Sequence, residues 1–233
     1  MENQQPLPGY SFFLKESWKE YKARTATYLF IVALPLAVSL FFNGAREVAE
    51  MMFPSASGFP RIDLSNFFFS ALASGWSGAS LFFAVKERKE GISSREAFRK
   101  GWPKILPFIW TAFLVAAAAV GGIILFLIPG IIFLIWFSFS TCIVVAEDKS
   151  GIPAMKRSKH LVEGRWWNVF SKIIMFGLAV ILFIFAAGIG IFLLSGQWMP
   201  DWLSEIISFL IAPFSAIYSF LIYEKLRDLS TNH

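Results

Sequence analysis

Six long stretches of this chain carry almost no charge, and that feature constrains the fold more than any other. They run over roughly 26–42, 67–85, 105–128, 130–146, 168–194 and 203–223. A helix of about 20 apolar residues crosses the hydrocarbon core of a bilayer. The first four stretches hold no charged side chain, the fifth holds only Lys172 and the sixth only Glu205. Lys172 lies one turn from the start of its stretch, where a long stem can snorkel to the headgroups. The runs are continuous rather than alternating, and too long for barrel strands. Composition agrees: the 233 residues are 56% hydrophobic and 16% charged, with 27 Phe and nine Trp. Soluble domains hold about 45–50% apolar and about 25% charged residues. The pattern predicts a single all-α membrane domain over 1–233 with six transmembrane helices.

The charges then set the orientation. Nineteen of the 21 basic residues fall on one side of the predicted spans, and only Arg46 and Arg61 on the other. Basic residues stay cytoplasmic, so both termini are expected inside, in the cytoplasmic (inner) membrane of a prokaryote. Some 25 polar and amphipathic residues precede the first apolar run, which does not read as a cleaved signal peptide. The net charge of +5 is therefore read as topology plus attraction to anionic lipid, with no nucleic acid as partner.

Few side chains offer chemistry. Cys142 is the single cysteine and lies in an apolar run; His160 and His233 stand apart from any Cys or carboxylate cluster. A transition-metal site needs several such ligands together. No phosphate-binding loop, nucleophile elbow, metalloprotease or dinucleotide fingerprint is present. No catalytic, cofactor or metal residue is assigned, and the oligomeric state is not written in the sequence.

Each long basic segment has helical periodicity of its own. Tyr10, Phe13, Leu14, Trp18 and Tyr21 share one face of the first, and Phe98, Trp102 and Ile105 of the second. Ile152, Met155 and Val162 are expected to share a face in the third. Ser93 or Ser94 can cap the second segment, with Glu96 placed for a capping box, and Pro153 suits a first turn of the third. These read as three cytoplasmic interfacial amphipathic helices. Leu14-x-x-Ser17-Trp18, Phe98-x-x-Gly101-Trp102 and Met155-x-x-Ser158-Lys159 occupy matching places. The chain thus reads as a parallel three-fold pseudo-repeat over 10–85, 93–146 and 152–223. Outer connections are expected at 43–66 and at Pro129-Gly130.

Small residues mark helix contacts. Ser70, Ser74 and Gly78, with Ala71, Gly75 and Ala79 beside them, line one helix, and Ser208, Ala212, Ser215 and Ser219 another. Trp76 sits among the first row and is expected to fill a groove. Pro35 and Pro213 interrupt their helices and can kink them. Glu147 and Asp148 end the fourth span and are read as a boundary pair meeting Lys149, Lys156 or Arg157.

The run Ile128-Pro129-Gly130-Ile131-Ile132, then Glu147, then Ala154-Met155-x-x-Ser158-x-x-Leu161-Val162-x-Gly164-Arg165-Trp166 resembles a known family. It is similar to the membrane domain found ahead of the catalytic domain in some bacterial glycerophosphoryl diester phosphodiesterases, and to YciC-like integral membrane proteins. The resemblance implies a six-helix membrane domain with Pro129, Gly130, Glu147, Ser158, Gly164 and Trp166 as structural motif. It implies no hydrolysis, because the phosphodiesterase barrel takes about 250 residues and has no counterpart here. The expectation is a non-enzymatic membrane module that contacts anionic lipid, through Lys156, Arg157, Lys159 and Arg165, or another membrane protein. The alternative is a small transporter or channel for a lipid-like or amphipathic substrate.

Overall fold

The computed structural model describes residues 7–52, 64–196 and 201–231, leaving the side chains of 46, 47, 49, 50, 64, 201, 202, 204 and 205 aside. Arg61, His233 and much of the expected 43–66 connection lie outside the described residues, as do the side chains of Arg46 and Glu205. The described residues form helices and connecting turns, with no strand among them.

The helices are α1 (Tyr10–Ala23), α2 (Thr25–Met52), α3 (Leu64–Lys86), α4 (Ser94–Gly101), α5 (Ile105–Leu125), α6 (Leu127–Phe137), α7 (Ser140–Ala146), α8 (Ile152–Val162), α9 (Trp166–Ser195) and α10 (Asp201–Thr231). A 3-10 turn, Trp102–Lys104, joins α4 to α5. Six segments are long and apolar enough to cross a membrane. An even number of crossings puts both chain ends at one end of the bundle.

Two expected boundaries shift. The fourth span is not continuous: it breaks at Ser138–Phe139, between α6 and α7. The break is tied from outside the helix, since Phe139 N–H donates to Ser158 Oγ at 3.2 Å and that hydroxyl donates to the Trp136 carbonyl at 2.7 Å. Pro129-Gly130 is also not the hairpin turn. The chain reverses at Phe126, which is extended (φ −165°, ψ 150°), and both residues lie in the first turn of α6. Proline is tolerated there because its missing N–H would have no helical partner. Gly130 serves close packing instead, as a Cβ on it would sit 2.9 Å from the Ile123 backbone nitrogen. The expected 43–66 connection is shorter than its bounds, since α2 runs on to Met52 and α3 starts at Leu64.

Burial is uneven along the helices. The core lies at the end that carries the termini, where Phe82–Val85 of α3, Cys142–Val145 of α7 and Ile217–Tyr223 of α10 meet Tyr28 and Ile31 of α2. The small-residue row of α3 works as expected: a Cβ on Gly75 would lie 2.5 Å from Ile109 Cγ1, and one on Gly78 2.9 Å from Phe108 Cζ. Those glycines let α5 lie close against α3. By contrast α9 exposes Leu182, Phe183, Phe185, Leu193 and Leu194.

Candidate functional site

The candidate site is the basic end of the bundle, and its construction starts from α1, α4 and α8. None of them packs mainly on its own following helix. Helix α4 packs on α3, α8 on α6 and α7, and α1 on α10, which closes a ring. The residue at each dock is the small one: Ser17 and Ser158 are fully buried, and Gly101 is buried. A Cβ on Gly101 would stand 2.9 Å from the Ser80 nitrogen, so only glycine allows this approach.

The faces buried against protein overlap only in part with the apolar faces read from periodicity. In α8, Ala154, Ser158, Leu161 and Val162 are buried, while Ile152 is 59% exposed. Trp18 and Trp102 are also exposed, and Phe13 and Ser17 carry the docking face of α1. Protein contact follows the small residues because two backbones can meet only there, whereas bulky side chains are left to the rim. The expected cap holds, with Ser93 Oγ accepting from Glu96 N–H at 3.2 Å, and Pro153 lies in the first turn of α8.

Flanking contacts recur at each dock. The residue after the small one meets an aromatic ring: Trp18 with Phe214 (6.2 Å between centroids), Trp102 with Trp76 (4.9 Å), and Lys159 with Trp136 (4.4 Å to the centroid). Trp76 fills the expected groove, its Nε1–H donating to the Phe98 carbonyl at 2.9 Å. The residue before the small one is basic in two docks and pairs with a glutamate, Lys100 with Glu87 and Arg157 with Glu147. In the first dock that residue is Glu16, and Glu224 instead takes Arg88. Arg88 Nη1 and Nη2 donate to the two Glu224 oxygens at 3.1 and 2.7 Å, with Glu20 3.7 Å from Nε.

Glu147 is the most heavily partnered acid. It accepts from Lys149 at 2.9 Å, from Arg157 Nε at 3.1 Å and from the Tyr223 hydroxyl at 3.1 Å. Burial alone would push its carboxyl up, but these donors and the Arg157 charge outweigh that and hold it below the usual carboxylate value. Asp148 pairs with Lys104, whose hydrogen bond and charge hold it low as well.

The four expected headgroup ligands do not converge. Lys156 is exposed, Arg157 is engaged by Glu147, and Lys159 lies over Trp136. Arg165 is only 9% exposed, and its Nε and Nη2 have no hydrogen-bond partner among the described residues. Lys172 does not snorkel either: it is 6% exposed and donates to the Asn168 carbonyl of its own helix at 3.2 Å. Of the motif residues, Gly164 turns the chain at φ +81° between α8 and α9, where a side chain would be strained. Trp166 stacks on Phe170 with centroids 4.9 Å apart.

Sequence reasoning overlooked a second recurring pattern, Trp76-x3-Ser80-x6-Glu87 and Trp136-x3-Ser140-x6-Glu147. It marks the helices that receive α4 and α8, and was readable by the same alignment. The Arg88–Glu224 pair carried no such signal, being 136 residues apart. Among the described residues the end with the termini holds 19 basic and ten acidic side chains, net +9. Trp18, Trp102 and Trp167 are exposed at the basic end, by 52, 62 and 75%. Cys142 is fully buried, and no cluster of metal-ligating side chains occurs among the described residues.

No curated protein and no solved structure matches this chain. Residues 103–224, just over half of the 233, match a family described as a domain of unknown function, DUF7847, and the chain belongs to that family.

Proposed function

We propose that the chain is a non-enzymatic module of a prokaryotic cytoplasmic membrane, with both termini in the cytoplasm, that seats its basic end on anionic lipid headgroups. The observation that carries this reading is the rim itself. Trp18, Trp102 and Trp167 and Lys15, Lys19, Lys22, Lys89, Arg99 and Lys156 are all exposed, with Lys22 5.6 Å from the Trp18 ring centroid. Tryptophan favours the headgroup level, and each Lys or Arg near an anionic surface contributes about 1 kcal/mol. The inner cations are spent on Glu87, Glu147 and Glu224, whereas of the outer ones Lys19 and Arg99 make only exposed contacts within their own helices, to Glu16 at 3.9 Å and Glu96 at 3.8 Å, which leaves them able to reach lipid. The ring of docked helices supports a three-fold pseudo-repeat, which would present similar rim elements around the bundle. Other membrane proteins are further partners in this reading.

The test is lipid retention by purified protein, read by native mass spectrometry from mixed phosphatidylcholine and phosphatidylglycerol. Preferential retention of phosphatidylglycerol, weakened by salt and by Lys19→Gln/Lys22→Gln/Lys156→Gln, is the expected result. Equal retention of the two lipids at all salt concentrations would refute it. A transport path along the bundle axis is disfavoured by the apolar packing of Val85, Ile143, Val144 and Ile222, all buried at the basic end.

A further inference from the structure

A crevice of about 480 Å³ between α2, α3 and α10 runs from mid-bundle toward the end away from the termini. Val32, Pro35, Ser39, Ser74, Ser208 and Phe209 are among its lining residues. Ligand pockets span about 300–1,000 Å³ and combine apolar walls with a few polar groups. At a rise of 1.5 Å per residue, Ser39, Ser74 and Ser208 lie roughly 18–24 Å along their helices from Thr25, Lys86 and Glu224 at the basic end. In a hydrocarbon core about 30 Å thick that depth falls in the opposite leaflet. The crevice does not continue to the basic end. Val32 and Leu81 are buried at its inner limit, and beyond them Tyr28, Ala84 and Ile217 are fully buried.

Of the two prolines inside helices, Pro35 lines this space and Pro213 lies one residue beyond the lining residue Ala212. Pro35 has no N–H for the Ile31 carbonyl, and Ser77 Oγ supplies the missing donor at 2.9 Å. Pro213 likewise leaves the Phe209 carbonyl without its helical N–H, and Phe209 lines the crevice. Ser74 and Ser208 are exposed and have no hydrogen-bond partner among the described residues. Hydroxyls facing hydrocarbon are costly unless paired. No ionisable side chain lines the crevice, so a charged ligand would find no counter-ion there.

We infer that this crevice binds a neutral, hydroxyl-bearing lipid drawn from the leaflet opposite the basic end, its chain on the apolar walls and its hydroxyl on Ser74 and Ser208. The site is separate from the basic rim and stands or falls without it. The test uses full-length protein reconstituted in vesicles with a long-chain alcohol that carries a photoreactive diazirine and an alkyne. Peptide mapping of the wild type should place adducts on Pro35–Ser39, Ser74–Leu81 and Ser208–Ala212. The alcohol should label these peptides about three- to tenfold more than the matching alkane, the range of one net hydrogen bond. Ser74→Ala/Ser208→Ala should bring the alcohol down to the alkane level, and Ser208→Phe should cut labelling about tenfold by filling the space. Adducts spread evenly over the exposed faces of α5 and α9 would overturn the inference. So would stronger labelling by the phosphorylated alcohol, or unchanged labelling in Ser208→Phe. If Ser208→Phe does not fold, the wild-type map and the alanine pair decide the matter.

Discussion

The two ends of this bundle are built on different terms. At the basic end, helices meet through buried small residues, are tied by side-chain hydrogen bonds to broken or terminal backbone, and carry ion pairs between helices distant in sequence. At the other end, the same helices expose large side chains, as with Leu193 at 76% and Leu194 at 91%. Lipid tails are as apolar as leucine, so exposing leucine to them costs little and no hydrophobic drive pulls the helices together. Cohesion therefore concentrates where close packing and polar ties are available. The tight end suits a fixed platform, and the looser end has room for the crevice.

The strongest way to break this comparison is Arg88→Met. It leaves Glu224 and Glu20 without their cation in a partly buried setting, and breaking such pairs costs about 3–5 kcal/mol when burial is complete. With the Arg88 side chain 10% and Glu224 23% exposed, a loss of about 3 kcal/mol is expected in detergent unfolding. Adding Glu224→Gln should then cost much less than it does alone.

Ser158→Ala comes next, at about 2–3 kcal/mol, because it orphans both the Phe139 N–H and the Trp136 carbonyl. A loss below about 0.5 kcal/mol would mean that the α6–α7 break needs no tie. Gly101→Leu should cost about 2 kcal/mol by forcing α4 off Ser80, whereas Gly177→Leu in α9, where a Cβ meets nothing within 4 Å, should change stability by less than about 0.5 kcal/mol. Equal effects for the two glycines would remove the distinction between the ends.

The smallest expected effect is a pH dependence. Glu147 titrates in the folded protein below its usual 4.5, so its contribution is complete above that pH and is lost as pH falls through the lowered folded value. Thermal midpoints measured across this acid range should fall, and Glu147→Gln should flatten that part of the curve. A dependence unchanged in the variant would assign it to other carboxylates, with Asp148 the first to examine.

Much of the fold was legible because hydrocarbon leaves few choices. A run such as 168–194 with one charge has to be a helix, and α9 spans Trp166–Ser195. The docks were half legible. Ser17, Gly101 and Ser158 aligned in the sequence, yet their role as the points of protein contact was not readable, since periodicity measures apolarity and takes no account of how closely two backbones approach. The headgroup ligands were least legible, because charge alone does not say whether a cation such as Arg157 meets lipid or an internal Glu147.

The primary structure by itself settled six helices long and apolar enough to cross a membrane, and a concentration of basic residues in the segments between them. Those follow from backbone hydrogen bonding in hydrocarbon and from the placement of lysine and arginine, which are local properties of each segment. Only the tertiary structure decided which helix each short helix docks on, which cations are neutralised, and where a crevice is left between α2, α3 and α10. Those outcomes depend on distances between residues as far apart as Arg88 and Glu224, and one-dimensional patterning holds no measure of them.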